Sequence, residues 1–404
     1  MRRVLLLLLF MALALSACSG AKQASKGQGV VTIVVNVPDN TPQDAVLTLG
    51  GDFNSWDPLG REYALTRLDD GAYQYVFAPV TVGKTLHFKL TRGNWETVEI
   101  DSDGNNRANR IHIVAAGMQT ITLKVADWAD LTKKTPSSTI VGEVILKTLE
   151  LPTFPGKRTV RIYLPPDYHT SQKRYPVIYM SDGQNLFDKS IATAGEWQMD
   201  ELMARLHDKG SALTSIVVGI DHAGSNRRGE YSPFDYDGDN LFGLDEGKGR
   251  VFADWLVGEL KPWVDKTWRT KSGRQDTTVM GSSMGGLIAL YTGIRHQQTF
   301  SRIAGLSSAL MYSLIKDNMV QFVTKTGRVH PMKIYFDIGT EETGLMTPAI
   351  FDDTKRVQQA LLAAGFDANE VKYALIQGGL HSEDSWRSRS EAILRWLYNP
   401  PVNH

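Results

Sequence analysis

The sequence predicts a small all-β domain near the N-terminus, followed by a larger domain of the α/β class. Residues 29–125 consist of short β-branched runs separated by turn-forming clusters. After a polar segment, strands alternate with amphipathic helices, which is typical of a parallel sheet covered by helices. A chain of 404 residues is long enough for two such domains, since one domain takes about 100–200 residues.

Charge and cysteine content limit the function classes. Lys and Arg together number 44, as do Asp and Glu, so the net charge is zero. Without a basic excess to neutralise phosphates, no nucleic-acid partner is expected. The sequence contains one cysteine, so no disulfide can form within the chain and each domain must be stabilised by its own core.

The first 17 residues have the pattern of a lipoprotein signal peptide. Arg2-Arg3 precede an apolar stretch, Val4–Leu15, which is too short to span a bilayer as a helix. Leu15-Ser16-Ala17-Cys18 resembles a bacterial lipobox, which predicts cleavage before Cys18 and attachment of acyl chains to it. We therefore expect a membrane-anchored protein of the bacterial cell envelope, and Ser19 favours the outer membrane, facing the periplasm or the cell surface. The alternative is an ordinary secretory signal cut after Ala17.

A tether and a β domain follow the signal. Residues 18–28 are rich in Gly, Ser, Ala and Lys, which is typical of a flexible linker. In residues 29–125, Val30–Val35 and Thr120–Thr122 are β-branched, while Pro38–Asn40 and Asp69–Gly71 form turns. This spacing predicts a small immunoglobulin-like β-sandwich.

Two segments of the β domain resemble a starch-binding carbohydrate-binding module. They are Gly51–Pro58 and Phe88–Glu96, with Asn109-Arg110 downstream. In such modules a flat indole stacks on the apolar face of a sugar ring while polar neighbours bind hydroxyls. The resemblance implies an α-glucan ligand, bound by residues drawn from Trp95, Lys89, Asn109 and Trp56. The alternative is a purely structural or spacing role, because fold analogy alone does not establish a site.

Residues 126–139 form the predicted linker and residues 140–404 the predicted α/β domain. Buried strands are predicted at Tyr175–Met180, Ser215–Ile220, Thr277–Met280, Lys333–Phe336 and Glu370–Leu375. Amphipathic helices are predicted at Met199–His207, Val251–Trp263, Leu287–Arg295, Thr354–Ala364 and Ser388–Leu397.

The segment Gly281–Gly286 carries the motif with the strongest chemical meaning. It reads Gly-Ser-Ser-Met-Gly-Gly and fits G-x-S-x-G between a predicted strand and a predicted helix. That context is typical of a nucleophile elbow, where small residues leave room around an exposed serine. The following helix adds a dipole that favours a developing negative charge. We therefore predict an α/β-hydrolase fold with Ser283 as its nucleophile.

A serine hydroxyl needs a general base, and in this fold the order along the chain is serine, acid, histidine. His381 follows the last predicted strand in a glycine-rich loop and is the predicted base. The acid is expected after the preceding strand, where Asp337, Glu341 and Glu342 compete. Glu342 is preferred and Glu341 is the alternative, while Asp337 is interpreted as a sheet-end residue. The acid holds the histidine tautomer and stabilises the imidazolium.

An oxyanion hole needs two backbone N–H groups, one following the nucleophile and one from the loop after an early strand. These are predicted at Met284 and at Gln184, where the adjacent Gly183 permits close backbone approach. No cofactor and no metal ion are expected. The acidic segment Asp235–Asn240 has the spacing of a calcium loop, but it lacks the glycine required at the sixth position.

Residues 140–400 resemble the esterase D family of α/β-hydrolases, which includes enterochelin and feruloyl esterases. The matching segments are Arg161–Pro166, Tyr175–Tyr179, Asp182–Asn185, Arg228–Pro233, Gly281–Gly286 and His381–Trp386. The resemblance implies a Ser283–His381–Glu342 triad, an acyl-enzyme mechanism and a small-molecule or glycan-linked ester as substrate. Family members act on very different esters and thioesters, so the ester stays undefined. Two alternatives remain open: a siderophore or thioester hydrolase or acyltransferase with the β domain as spacer, and a non-catalytic carbohydrate-binding lipoprotein.

Overall fold

The computed structural model describes residues 27–54, 56–107, 109–132, 137–153, 157–235, 247–310, 318–342 and 347–399. The predicted signal peptide 1–17, Cys18 and most of the tether lie outside these residues, as do positions 133–136 of the predicted linker. Within the described ranges, none of the helices combines the length and the apolar character needed to cross a bilayer.

The strands are numbered in chain order. They are β1 Gln28–Asn36, β2 Thr48–Gly51, β3 Thr66–Arg67, β4 Tyr73–Val76, β5 Val80–Thr81, β6 Thr85–Thr91, β7 Glu99–Ile100, β8 Arg110–Ile113, β9 Gly117–Lys124, β10 Asp127–Trp128, β11 Glu143–Glu150, β12 Lys157–Leu164, β13 Val177–Ser181, β14 Ile216–Ile220, β15 Thr277–Ser282, β16 Arg302–Leu306, β17 Lys333–Gly339 and β18 Val371–Ile376.

The chain divides into two compact units. The N-terminal unit contains the described residues up to Asn94 together with Asn109–Ala126, and the C-terminal unit contains those of 95–108 and all from Asp127 onward. The sequence pattern assigns residues 95–108 to the β domain, whereas the structure groups them with the C-terminal unit. In that unit β7 pairs antiparallel with β10.

Two sheets make up the N-terminal unit. One has the order β3-β4-β1-β5, with β9 also pairing to β1, and the other has the order β2-β6-β8. The predicted β-branched runs lie in β1 and β9, as expected. Val31, Ile33 and Val35 of β1 are fully buried, because β-branched side chains pack well on a pleated surface.

The C-terminal unit is built on one eight-stranded sheet with the order β11-β12-β14-β13-β15-β16-β17-β18. β12 runs antiparallel to its neighbours β11 and β14, whereas the strands from β14 to β18 are parallel. All five predicted strands are present, which confirms the α/β class. The sequence analysis did not predict β11, β12 and β16. β11 is a largely exposed edge strand, and β16 is short and contains a glycine.

Eight helices are described. They are α1 Met199–Asp208, α2 Arg227–Tyr231, α3 Gly249–Trp255, α4 Lys261–Thr267, α5 Met284–Arg295, α6 Asn318–Thr326, α7 Thr347–Ala363 and α8 Glu383–Tyr398. A π-helical turn at Leu256–Leu260 connects α3 to α4 within the stretch predicted as one helix.

The helices cover both faces of the sheet, and alternate strand residues point to opposite faces. Val177 and Tyr179 of β13 join the core beneath α5, whereas Ile178 and Met180 join the core beneath α1 and α8. Strands β13 and β15 are neighbours although their following helices cover opposite faces. Such a reversal opens a crevice at the carboxyl ends of the strands, where α/β proteins bind ligands.

Candidate active site

Ser283 occupies the tight turn between β15 and α5. Its backbone has φ 56° and ψ −127°, a conformation that costs strain in a non-glycine residue and that clusters at functional sites. The Ser283 N–H donates to the carbonyl of Leu306 at 2.9 Å, and the Ser283 carbonyl accepts from the N–H of Ala309 at 3.0 Å. The segment after β16 therefore holds the elbow in its strained conformation.

Gly281 and Gly285 are needed because the loop after β13 passes directly against the elbow. A Cβ added at Gly281 would lie 2.5 Å from Ser181 Oγ. A Cβ at Gly285 would overlap the same hydroxyl and lie 3.0 Å from the Asp182 carboxylate. Larger residues at these positions would push the loop and the nucleophile apart.

His381 connects the nucleophile to a carboxylate. Its Nε2 lies 2.9 Å from Ser283 Oγ, and its Nδ1 lies 3.1 Å from Glu342 Oε2. An ionised carboxylate only accepts hydrogen bonds, so we assign the proton to Nδ1, which leaves Nε2 to accept from the serine hydroxyl. The ring packs edge-to-face on Trp386, with centroids 5.0 Å apart. This tautomer is the one required of a general base.

Glu342, with 2% of its surface exposed, is the carboxylate that the structure brings to His381. Its Oε1 accepts hydrogen bonds from Ser307 Oγ and from the Gly339 N–H, each at 2.5 Å. Glu341, the alternative acid, is exposed. Asp337 lies within β17 and pairs with Arg389 at 2.7 Å instead.

The predicted oxyanion donors lie in the first turns of two helical segments, each of which follows the end of a strand. Met284 is the first residue of α5, and Gln184 lies in the 3-10 turn Gly183–Asn185 that follows β13. N–H groups in the first turn of a helix have no acceptor within that helix. Because β13 and β15 are adjacent and parallel, both groups lie at the same edge of the sheet.

Arg227 is a residue at this site that the sequence reasoning missed. It binds Asp182 through two hydrogen bonds, from Nε at 2.6 Å and from Nη2 at 2.8 Å. Burial opposes the charge of Arg227, but the Asp182 carboxylate raises its pKa above the usual value. Asp182 has φ 57° and directly precedes the Gln184 turn, so the ion pair fixes the start of that turn. From the sequence alone, Arg227 and Arg228 are equally good candidates for binding Asp182.

The predicted sugar-binding residues differ in exposure. Trp56 and Asn109 are partly exposed in the N-terminal unit, and Trp95 is partly exposed at the start of a 3-10 turn, Trp95–Thr97. Lys89 is the exception, because only 4% of its surface is exposed. Lys89 therefore offers little surface to a ligand, and its contact with sugar stays a prediction.

Carboxylates also gather outside the serine site. One ligand oxygen each from Glu196, Asp200 and Glu201 lies within 4.8 Å of the others. Burial and the neighbouring Glu201 raise the pKa of Asp200, which favours the protonated form of Asp200. Most of the acidic segment Asp235–Glu246 lies outside the described residues.

A serine, a histidine and a glutamate in hydrogen-bond contact at the carboxyl ends of a largely parallel sheet define an α/β-hydrolase. The model of the Esterase family matches residues 152–397. The chain belongs to this family and is a carboxylic ester hydrolase.

Individual proteins are similar to different parts of the chain. The uncharacterized protein YbbA of Bacillus subtilis strain 168 is 25% identical over 251 residues, which cover 60% of this chain and 93% of YbbA. An alpha-amylase of Niallia circulans is 44% identical over 100 residues, 25% of this chain and 8% of the amylase. The enterobactin esterase of Shigella flexneri has a similar fold, with a TM-score of 0.52 and 13% identity, over 92% of this chain and 94% of that structure.

Proposed function

We propose that the chain is a serine esterase that hydrolyses carboxylic esters through an acyl-enzyme on Ser283. The contact of His381 Nε2 with Ser283 Oγ at 2.9 Å carries this proposal. His381 takes the hydroxyl proton while Oγ attacks the ester carbonyl carbon, and the imidazolium then gives the proton to the departing alkoxide. Water, deprotonated by His381, attacks the acyl-enzyme in turn and releases the acid and Ser283.

Glu342 and the two backbone donors stabilise the charges formed in these steps. The carboxylate keeps Nδ1 protonated and stabilises the imidazolium. The N–H groups of Met284 and Gln184 donate hydrogen bonds to the oxyanion of the tetrahedral intermediate. Such stabilisation of the oxyanion is often the largest single contribution to catalysis of acyl transfer.

Replacing Ser283 with alanine tests the proposal. We expect the Ser283→Ala variant to lose more than about 1,000-fold in kcat on p-nitrophenyl acetate, because no other group in the mechanism forms the acyl-enzyme. Ser282→Ala, one residue earlier in the chain, is the matched control and should keep near wild-type activity. Near wild-type activity of Ser283→Ala with a wild-type unfolding curve would rule out the mechanism.

The acyl and alcohol parts of the natural ester are best found with a substrate panel. A protein of Xylanibacter ruminicola described as an endo-1,4-beta-xylanase/feruloyl esterase is 26% identical over 247 residues, 60% of this chain and 29% of that protein. This similarity favours esters in which an aromatic acyl group is attached to a sugar hydroxyl. Acetyl, feruloyl, siderophore and thioester substrates, compared by kcat/KM, separate this class from a siderophore or thioester hydrolase.

We propose further that the N-terminal unit is an immunoglobulin-like sandwich that directs the esterase to an α-glucan. Support comes from its two sheets, from the partly exposed Trp56, and from the amylase match, whose 100 residues equal about the length of the 29–125 region. The full chain should be retained on insoluble starch but not on cellulose, and Trp56→Ala should weaken retention. Equal retention of the protein on starch and on cellulose would contradict sugar targeting and would favour a spacer role for the unit.

We propose, from the lipobox alone, that the mature protein is anchored in the bacterial envelope by acyl chains on Cys18. The Cys18→Ala variant should move from the membrane fraction to the soluble fraction. A Cys18→Ala variant that stays membrane-bound would contradict the anchor.

A further inference from the structure

We infer that Ser307, which no sequence motif marks, is the positioning residue for the acid of the triad. This inference rests on the proposed function, because it gives Glu342 its orientation toward His381. Ser307 follows β16 and is 1% exposed, so it does not touch substrate. Its influence passes through Glu342.

The hydroxyl hydrogen of Ser307 has one possible direction. Ser307 Oγ lies 2.5 Å from Glu342 Oε1, 2.7 Å from Trp386 Nε1 and 3.2 Å from Arg389 Nη2. Indole and guanidinium nitrogens only donate hydrogen bonds, and an ionised carboxylate only accepts them. The two donors therefore occupy the lone pairs of Oγ, and the hydroxyl hydrogen points to Glu342.

This hydrogen bond matters because Glu342 has little else to stabilise its charge. Among the described residues, His381 is the one basic side chain that Glu342 contacts as an ion-pair partner. The nearby cation Arg389 is engaged by Asp337, with Nε to Oδ2 at 2.7 Å and Nη2 to Oδ1 at 3.0 Å. A buried carboxylate without a permanent cation depends on its hydrogen-bond donors, and Ser307 is one of three.

The backbone of Ser307 is held in a strained conformation that keeps its hydroxyl in place. Its φ is 46°, a left-handed value that is uncommon for a residue with a side chain. The Ser307 N–H donates to Asp337 Oδ1 at 2.9 Å. Trp386, which donates to Ser307, also packs against the ring of His381. One serine thus connects the acid, the base and the strand end.

Without this hydroxyl, Oε1 of Glu342 still accepts a hydrogen bond from the Gly339 N–H, but it loses the hydrogen bond from Ser307 that orients the carboxylate. The carboxylate can then rotate away from Nδ1, and fewer molecules hold the reactive tautomer and ring orientation. Because substrate does not contact Ser307, kcat should fall while KM stays nearly constant. A hydrogen bond to a charged group corresponds to about a tenfold effect or more.

Ser307→Ala and Ser307→Gly separate the hydroxyl from the strained backbone. Both variants remove the hydroxyl, but glycine also relieves the left-handed strain, so the glycine variant should have the higher Tm. If Ser307 positions Glu342, both variants lose about tenfold in kcat with KM within twofold of wild type. Ser308→Ala, which removes the neighbouring buried hydroxyl, is the control and should keep wild-type kcat.

Three results have distinct meanings. Wild-type kcat in both Ser307 variants, with an inactive Ser283→Ala, would overturn the positioning function and leave the esterase intact. Wild-type kcat in Ser307→Gly alone would show that backbone strain, and not the hydroxyl, matters, and would also overturn it. Full activity of Ser283→Ala would instead refute the proposed function itself.

Discussion

Replacing Glu342 with glutamine should reverse the tautomer of His381. Oε1 of Glu342 receives two donors, the Ser307 hydroxyl and the Gly339 N–H. A glutamine must therefore place its carbonyl oxygen there, because an amide NH2 would face both donors. Its NH2 group then points to His381 Nδ1, which must lose its proton in order to accept. The proton moves to Nε2, and the imidazole can no longer accept the proton of Ser283.

The expected magnitude follows from this inversion. A base held in the wrong tautomer lowers kcat by about 10,000-fold in serine hydrolases, which corresponds to about 5 kcal/mol of activation free energy. Stability should change little, since glutamine has nearly the same shape and no longer buries a charge. Steady-state hydrolysis of p-nitrophenyl acetate measures the first effect, and urea unfolding measures the second.

Glu341→Gln is the matched control, because it makes the same change at the exposed neighbouring position. It should retain at least half of the wild-type kcat. A kcat of Glu342→Gln within about threefold of wild type, or an impaired Glu341→Gln variant, would refute the tautomer reversal.

Two further predictions concern stability. Arg158 and Glu230 form a buried ion pair at 3.0 Å, so Arg158→Met should lower the free energy of unfolding by about 3–5 kcal/mol, measured with urea. Arg295→Met breaks the exposed pair of Arg295 with Asp254 and should cost less than about 1 kcal/mol. Equal losses in the two variants would contradict this. Burial raises the pKa of Asp52 to about 7, whereas the unfolded chain ionises near pH 4, so stability present below pH 4 is lost as pH rises to about 7. In the Asp52→Asn variant this loss of stability with rising pH should be smaller. Amide hydrogen exchange of β6 measures the stability at each pH, and the same pH dependence in the variant and the wild type would contradict the prediction.

The position of Ser283 in a strand-to-helix turn could be predicted because its constraints are local. A strand, two small residues and a helix start lie within ten positions, and the structure places Gly281 and Gly285 against Ser181 as the motif requires. The contact of His381 with Ser283 followed from chain order. The acid could not be decided by sequence, because Glu341 and Glu342 are neighbours and only the turn after Gly339 directs one of them inward.

Ser307 was out of reach for a different reason. It directly follows β16, a strand that the sequence analysis did not predict because Arg302–Leu306 is short and contains Ala304 and Gly305, which favour strands weakly. Its three side-chain partners come from positions up to 82 residues away. A contact that depends on sheet order and on α8 together leaves no signal in a single sequence.

The partners of Asp337 and Glu342 explain why Glu342, and not Asp337, is the proposed acid. Asp337 accepts from Arg389 on both oxygens, from the Ser307 N–H and from the Tyr335 hydroxyl, so its charge is already compensated before any reaction. Within the described residues Glu342 forms no ion pair with a Lys or Arg, and its charge is compensated only by neutral donors until His381 becomes protonated. The attraction between Glu342 and the imidazolium therefore appears as the proton leaves Ser283. An interaction that strengthens only along the reaction lowers the barrier, whereas one present from the start does not. Arg389 thus contributes by neutralising Asp337, which leaves Glu342 as the carboxylate that responds to the charge on His381.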